Sequence, residues 1–169
     1  DATFFDADQD GDLDVYLVTG GHQYSGKNAA LLDVLLFNDG KGKFSQDIFA
    51  LPLDYSDGSC VVPFDFNGDG ALDLFVGSRS IFPSYGIVPA SHLYQNDGKG
   101  HFKDVTAQVA PELQKIGMVS DACIVEQADG LQLVVVGEWM PVCVFSIQKG
   151  QFKLTQIPNS EGWWNTVTT

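Results

Sequence analysis

Residues 6–20 read Asp6-Ala7-Asp8-Gln9-Asp10-Gly11-Asp12-Leu13-Asp14-Val15-Tyr16-Leu17-Val18-Thr19-Gly20, and residues 65–77 read Asp65-Phe66-Asn67-Gly68-Asp69-Gly70-Ala71-Leu72-Asp73-Leu74-Phe75-Val76-Gly77. Each is an acidic turn that runs into an apolar stretch closing on glycine. A worn third copy is Asp129-Gly130-Leu131-Gln132-Leu133-Val134-Val135-Val136-Gly137. The Asp-Gly pairs begin at 10, 69 and 129, intervals of 59 and 60 residues. A second marker keeps its place behind the first: Leu36-Phe37-Asn38-Asp39-Gly40-Lys41-Gly42-Lys43-Phe44 recurs as Leu93-Tyr94-Gln95-Asn96-Asp97-Gly98-Lys99-Gly100-His101-Phe102, and in reduced form as Val144 to Phe152. The chain is therefore three copies of one repeat.

Each repeat reads as four short strands. In the second copy they fall near 58–65, 72–78, 91–96 and 101–106, apolar runs bounded by Gly, Asp and Asn. Turn residues between two apolar runs make Asn96-Asp97-Gly98-Lys99-Gly100 a hairpin. The one helix-like candidate, Pro111 to Lys115, is too short to shape the fold. The expected fold is all-β: three four-stranded antiparallel blades of a β-propeller. Blade 1 spans 1–57, blade 2 58–117 and blade 3 118–159, with 160–169 the start of a further first strand. Closed propellers have about four to eight blades. The chain is thus expected to close a ring with a second copy of itself or to be a slice of a longer chain. Its opening, Asp1-Ala2-Thr3-Phe4-Phe5, reads as a strand without a leading methionine, as expected of a processed or excised piece.

The acidic turns follow D-x-[DN]-x-D-G-x-x-D. Position 1 is Asp6 or Asp65, position 3 Asp8 or Asn67, position 5 Asp10 or Asp69, and position 9 Asp14 or Asp73. Calcium takes six to eight hard oxygen ligands, and alternate residues of a tight loop aim oxygens at one point. Glycine at position 6 permits the sharp turn. The carbonyl at position 7, Asp12 or Ala71, adds a ligand without needing a side chain. Without a cation the clustered carboxylates repel one another. The pattern predicts two Ca2+ sites, held by Asp6, Asp8, Asp10, Asp12 and Asp14, and by Asp65, Asn67, Asp69, Ala71 and Asp73. An EF-hand would need glutamate at position 12, where Leu17 and Val76 stand inside strand-like runs. In the third copy the ligand positions hold Val125, Gln127 and Leu133, so no third site is expected and Asp129 is a turn residue.

Composition narrows the function. The 169 residues are 44% hydrophobic with mean hydropathy +0.01, a globular balance, and carry a net charge of −13. That charge excludes a nucleic-acid partner, which needs a basic face. No apolar run is long enough for a membrane span. Cys60, Cys123 and Cys143 lack metal-ligand spacing and have apolar neighbours; buried thiols are expected, with a Cys123–Cys143 bridge left open. No nucleophile elbow, zinc-protease or phosphate-loop motif occurs. His92 and His101 read as surface residues. The loop around His22 and the one from Ser78 to Ser91, with Arg79, Phe82, Pro83 and Tyr85, are the places for a binding surface. Glu138-Trp139 is expected to pack between blades.

The two acidic loops and the repeat length resemble FG-GAP or VCBS-type repeats, the calcium-binding blades also found in integrin α-subunit heads. Gly137-Glu138-Trp139-Met140-Pro141 and Gly162-Trp163-Trp164-Asn165 resemble the bacterial, cartilage-acidic-protein-like branch. The resemblance implies an extracellular, cell-surface or periplasmic protein with structural calcium. It implies a role in binding, adhesion or scaffolding toward an unknown protein or glycan ligand, and no enzyme. The alternative is the propeller part of a secreted carbohydrate-active enzyme, yet the acids outside the loops, Asp33, Asp54, Asp57 and Glu138, form no catalytic pattern.

Overall fold

The computed structural model describes residues 1–21, 23–24, 26–128 and 130–169; His22 and Asp129 lie outside them. Three antiparallel sheets follow one another along the chain. The first contains β1 (Ala2–Phe5), β2 (Asp14–Leu17), β3 (Val34–Asn38) and β4 (Phe44–Gln46). The second contains β5 (Asp57–Phe64), β6 (Asp73–Ser80), β7 (His92–Asn96) and β8 (Phe102–Asp104). The third contains β9 (Met118–Gln127), β10 (Gly130–Met140), β11 (Cys143–Gln148) and β12 (Gln151–Gln156). Each sheet is an up-and-down meander, as the repeat predicts. Among the described residues no helix is long and apolar enough to cross a membrane.

The second sheet is covered on both faces, and β6 shows how. Side chains alternate across a strand: Leu74 and Val76 join a core with Phe5, Tyr16 and Leu35 of the first repeat. Phe75, between them, joins a core with Val119, Leu133, Val135 and Phe145 of the third. A strand buried on both sides needs an unbroken apolar run, and Leu74-Phe75-Val76 supplies it. In β2 only one face is buried, Asp14 and Tyr16, while Val15 and Leu17 are half-buried. The repeat-closing Gly77 is required by close approach, because a Cβ there would lie 2.6 Å from Cys60 Sγ and 2.7 Å from Val119.

Several expectations are corrected, among them that all three cysteines are buried, since Cys123 is only half-buried. The short segment Pro111–Lys115 forms a 3-10 turn after α1 (Thr106–Val109), and its Leu113 is fully buried with Ala110 and Ile116 in the core between the second and third sheets. His92 is largely enclosed, its Nδ1 3.0 Å from Asp104 and its Nε2 3.4 Å from Asp54, and its ring stacks on Tyr94. All three cysteines are free. Cys123 pairs across from Val134 and Cys143 from Val135 on opposite sides of β10, so consecutive positions of that strand aim them at opposite faces and no bridge can form. Burial raises the Cys60 thiol to about 12, which leaves it unreactive.

Within residues 160–169, read as the start of a further first strand, Gly162–Trp163 instead adds β13 to the end of β10. Beyond it, Thr166 Oγ1 and Val167 N donate to Asp121 of β9. The second repeat approaches the first in a similar way, Val61 N donating to Asp1.

Burial sorts the aromatic residues by weight. Phe75→Ala is expected to destabilise the chain by about 3–5 kcal/mol in urea denaturation, whereas Phe44→Ala, at an exposed ring, is expected to stay within about 0.5 kcal/mol.

Candidate metal centre

The β1–β2 loop folds around its own carboxylates. Asp6 Oδ2 accepts from Gly11 N at 3.1 Å and Asp10 Oδ1 from Asp12 N at 2.9 Å. Gly11 has φ +94°, a conformation that favours glycine. Asp14 is fully buried at the start of β2, and its two oxygens accept from Ala7 N at 2.8 Å and Asn38 N at 2.9 Å. One oxygen each from Asp6, Asp8 and Asp14 lies within 4.8 Å of the others. Asp6 Oδ1 and Asp8 Oδ1 are buried with no hydrogen-bond partner. Unpaired buried carboxylate oxygens are costly unless a cation neutralises them. The donor set is all hard oxygen, and the residues fit a calcium ion. Asp10 and Asp12 stand outside the close triad.

The second loop repeats the frame with other contents. Asp65 accepts from Gly68 N and Gly70 N, and Asp69 Oδ1 from Ala71 N. Asp73, fully buried, accepts from Phe66 N at 3.2 Å and Asn96 N at 2.8 Å, the counterparts of the Asp14 bonds. Asn67 donates its amide to Asp69 Oδ2 at 2.8 Å, so this loop holds an internal pair where the first holds unpaired oxygens. Among the described residues, Asp6, Asp8 and Asp14 are the acids grouped closely enough to share one ion. In the third repeat, β9 and β10 pair without interruption through Val125 and Gln127, and Leu133 is fully buried where the other repeats bury aspartate.

Electrostatics follow the burial. Desolvation, then the charges of Asp10, Asp14 and Asp6, raises the Asp8 carboxyl above its ordinary value. Asp14 is raised by desolvation against the opposing amide bonds. Asp73 is raised to about 7, again by desolvation first, with Asp69 and Asp65 adding to it against the Asn96 and Phe66 amides. These are carboxylates whose charge the metal-free fold disfavours.

Some functional residues escape a reading of the loops alone. Asn38 and Asn96 each anchor the hairpin to the loop: their amides bond Asp14 and Asp73, and their side chains donate to Leu13 O and Leu72 O. Asn96 also donates to Ala7 O, and Gln9 to Gly70 O, so the two loops are tied to each other across the first and second sheets. The asparagine in the second repeat marker was the available signal. At the opposite end of the sheets, Glu138 is buried and bonded by Arg79 and Tyr85, both from the loop region after β6 or its last residues. Trp139 beside it is exposed, so only half of the Glu138-Trp139 pair packs inside.

Stacked four-stranded meanders, the first two entered through the same acidic turn, define an all-β repeat protein with blades of the β-propeller kind. Residues 3–76, from β1 through both acidic loops into β6, match the FG-GAP-like repeat. No curated protein matches it.

The raised Asp73 carboxyl carries a pH signature. Its folded pKa, about 7, lies above the unfolded value near 3.9, so the fold binds the proton more tightly than the unfolded chain. In chelator, stability is expected to be highest for this group below pH about 4 and to fall as pH rises through about 7. Asp73→Asn should flatten that slope in melts recorded across the range.

Proposed function

We propose that the chain is a calcium-stabilised, extracellular or periplasmic β-propeller module that serves binding, adhesion or scaffolding, with calcium in a structural role and no catalysis of its own. The observation that carries this reading is the pair of buried, unpartnered oxygens on Asp6 and Asp8 within the Asp6–Asp8–Asp14 group. Asp6, Asp8, Asp10 and Asp14, with the Asp12 carbonyl, hold the first ion. Asp65, Asn67, Asp69 and Asp73, with the Ala71 carbonyl, hold the second once the Asn67 amide turns its oxygen inward. The ion supplies positive charge where burial has made negative charge costly. The protein's part is to converge the oxygens and to hold them there through Asn38, Asn96 and the Gln9–Gly70 bond.

The Asp121 bonds to Thr166 and Val167 support a further blade stacked on the third sheet, so that the three blades are part of a larger ring. The bacterial, cartilage-acidic-protein-like branch belongs to the same reading, through Gly137-Glu138-Trp139-Met140-Pro141.

A ligand that binds only the folded state adds about 1.4 kcal/mol per site at tenfold saturation, roughly 3–6 °C in melting temperature for a chain of this size. Chelation is expected to lower the melting temperature by that order and calcium to restore it. Calorimetric titration should count two ions, with affinity at the second rising as pH passes about 7 and Asp73 ionises. Asp8→Ala should remove one ion and Asp69→Ala the other. A melt unchanged after verified metal removal would refute the structural role.

A further inference from the structure

The β2–β3 type loops and the connections between repeats gather at the end of the sheets opposite the acidic turns. There Arg79, the next-to-last residue of β6, reaches across to the third sheet. Its guanidinium bonds Glu138, a side chain only 1% exposed, and Tyr85 donates its hydroxyl to the other oxygen of the same carboxylate. The next residue, Trp139, has φ +54° and sits at a register shift in β10. A bulky residue in the left-handed region is strained, and bulges re-aim side chains. Here the strain turns Glu138 inward and holds the Trp139 ring in solvent, 60% exposed. Its centroid is 5.6 Å from Tyr85 and 5.5 Å from Trp163, themselves 47% and 53% exposed. Three open aromatic rings thus stand in contact at one edge of the molecule.

Tyr85 also lines a cleft of about 680 Å³ whose other walls include Asp57, Ser59, Ser80, Ser120 and Asn165. A neighbouring cavity of about 420 Å³ shares Asp57 and Ser80 and adds the rings of Tyr24, Tyr55 and Phe82. Both volumes are of ligand-site size. We propose that this end of the blades binds a neutral oligosaccharide, its sugar rings laid on Tyr85, Trp139 and Trp163 and its hydroxyls bonded in the cleft beside them. The proposal stands apart from the calcium reading and does not depend on it.

The chemistry selects that ligand. A sugar ring has a C–H face, slightly positive, that meets the negative face of an aromatic ring, and a rim of hydroxyls that both donate and accept. The site offers the same division: open rings on one side, and short hydroxyl, amide and carboxylate groups on the other. A polyanion is disfavoured by the net charge of −13, and Arg79, a half-exposed wall of the cleft, is paired with Glu138. An apolar peptide anchor would require a dry pocket, and this floor is polar.

The test is affinity electrophoresis and tryptophan emission with a soluble β-glucan, a xylan and a galactomannan, with polygalacturonate as the charged contrast, all in calcium-containing buffer. The expected result is retardation by at least one neutral polymer with a shift in emission, weakened at least tenfold by Trp139→Gly and by Tyr85→Ala. Glycine suits the left-handed backbone. Trp139→Gly is therefore expected to melt at or above the parent temperature while losing the ligand, a combination that a purely structural tryptophan would not give. Because Tyr85→Ala also removes a hydrogen-bond partner of the buried Glu138, Trp163→Ala, at an exposed ring that does not bond Glu138, supplies the same readout if Trp139→Gly does not fold. Three outcomes overturn the proposal: no retardation by any neutral polymer, binding of polygalacturonate alone, or neutral-polymer binding that survives these substitutions.

Discussion

A buried carboxylate at the mouth of the second strand organises each of the first two repeats. Asp14 and Asp73 are fully enclosed, and each divides its two oxygens between an amide of the acidic turn and an amide of the later hairpin. One side chain thus fixes three segments: the loop before the strand, the strand itself, and the hairpin two strands on. Charged acceptors make the stronger hydrogen bonds, yet burying the charge is costly unless it is compensated. The carboxylates held nearby raise that cost. The same arrangement therefore sets the loop geometry and creates a demand for a cation. The third repeat resolves the demand otherwise: Leu133 replaces the carboxylate, β9 and β10 pair straight through, and the hairpin keeps no asparagine.

The stacking of the sheets follows from a second constraint, the alternation of side chains along a strand. The middle sheet faces neighbours on both sides, so every position of β6 from Asp73 to Ser78 is buried. The flanking sheets bury one face each and leave the other half open, as Val15 and Leu17 show. Half-covered apolar faces are what a stack presents at its ends. The Asp1–Val61 and Asp121–Val167 bonds sit at comparable steps along that stack, one between the first and second repeats and one beyond the third.

Much of this was legible in the sequence, for a physical reason. The acidic turn is local: its spacing alone brings oxygens together, and Asp6, Asp8 and Asp14 meet within nine residues. The strands were legible because Leu74-Phe75-Val76 and its counterparts are short, apolar and bounded by turn residues. What could not be read was non-local. Arg79 and Glu138 are 59 residues apart, and nothing in either neighbourhood announces the other. His92 reads as a strand-edge surface residue until Asp54 and Asp104 close on it from two different connections. Trp163 fits the apolar pattern of a new strand, yet β10, longer than its counterparts, captures it instead. Asn38 and Asn96 lie between these cases, visible as a recurring letter but not as the link between hairpin and loop.

The two ends of the sheets obey different rules. At the acidic end, polar groups face inward on one another and glycine is placed where the backbone needs it, as at Gly11 and Gly70 with φ near +90°. At the other end a tryptophan occupies a backbone conformation that glycine would fill at lower cost. That conformation is unfavourable for a bulky side chain, and the ring's aromatic contacts are with Tyr85 and Trp163, which are themselves exposed. The buried Arg79–Glu138–Tyr85 cluster gives the strained residue a rigid base, with the carboxylate locked inward by two partners. The exposed rings of Tyr85, Trp139 and Trp163 thus stand on a rigid base at the end of the sheets opposite the acidic turns.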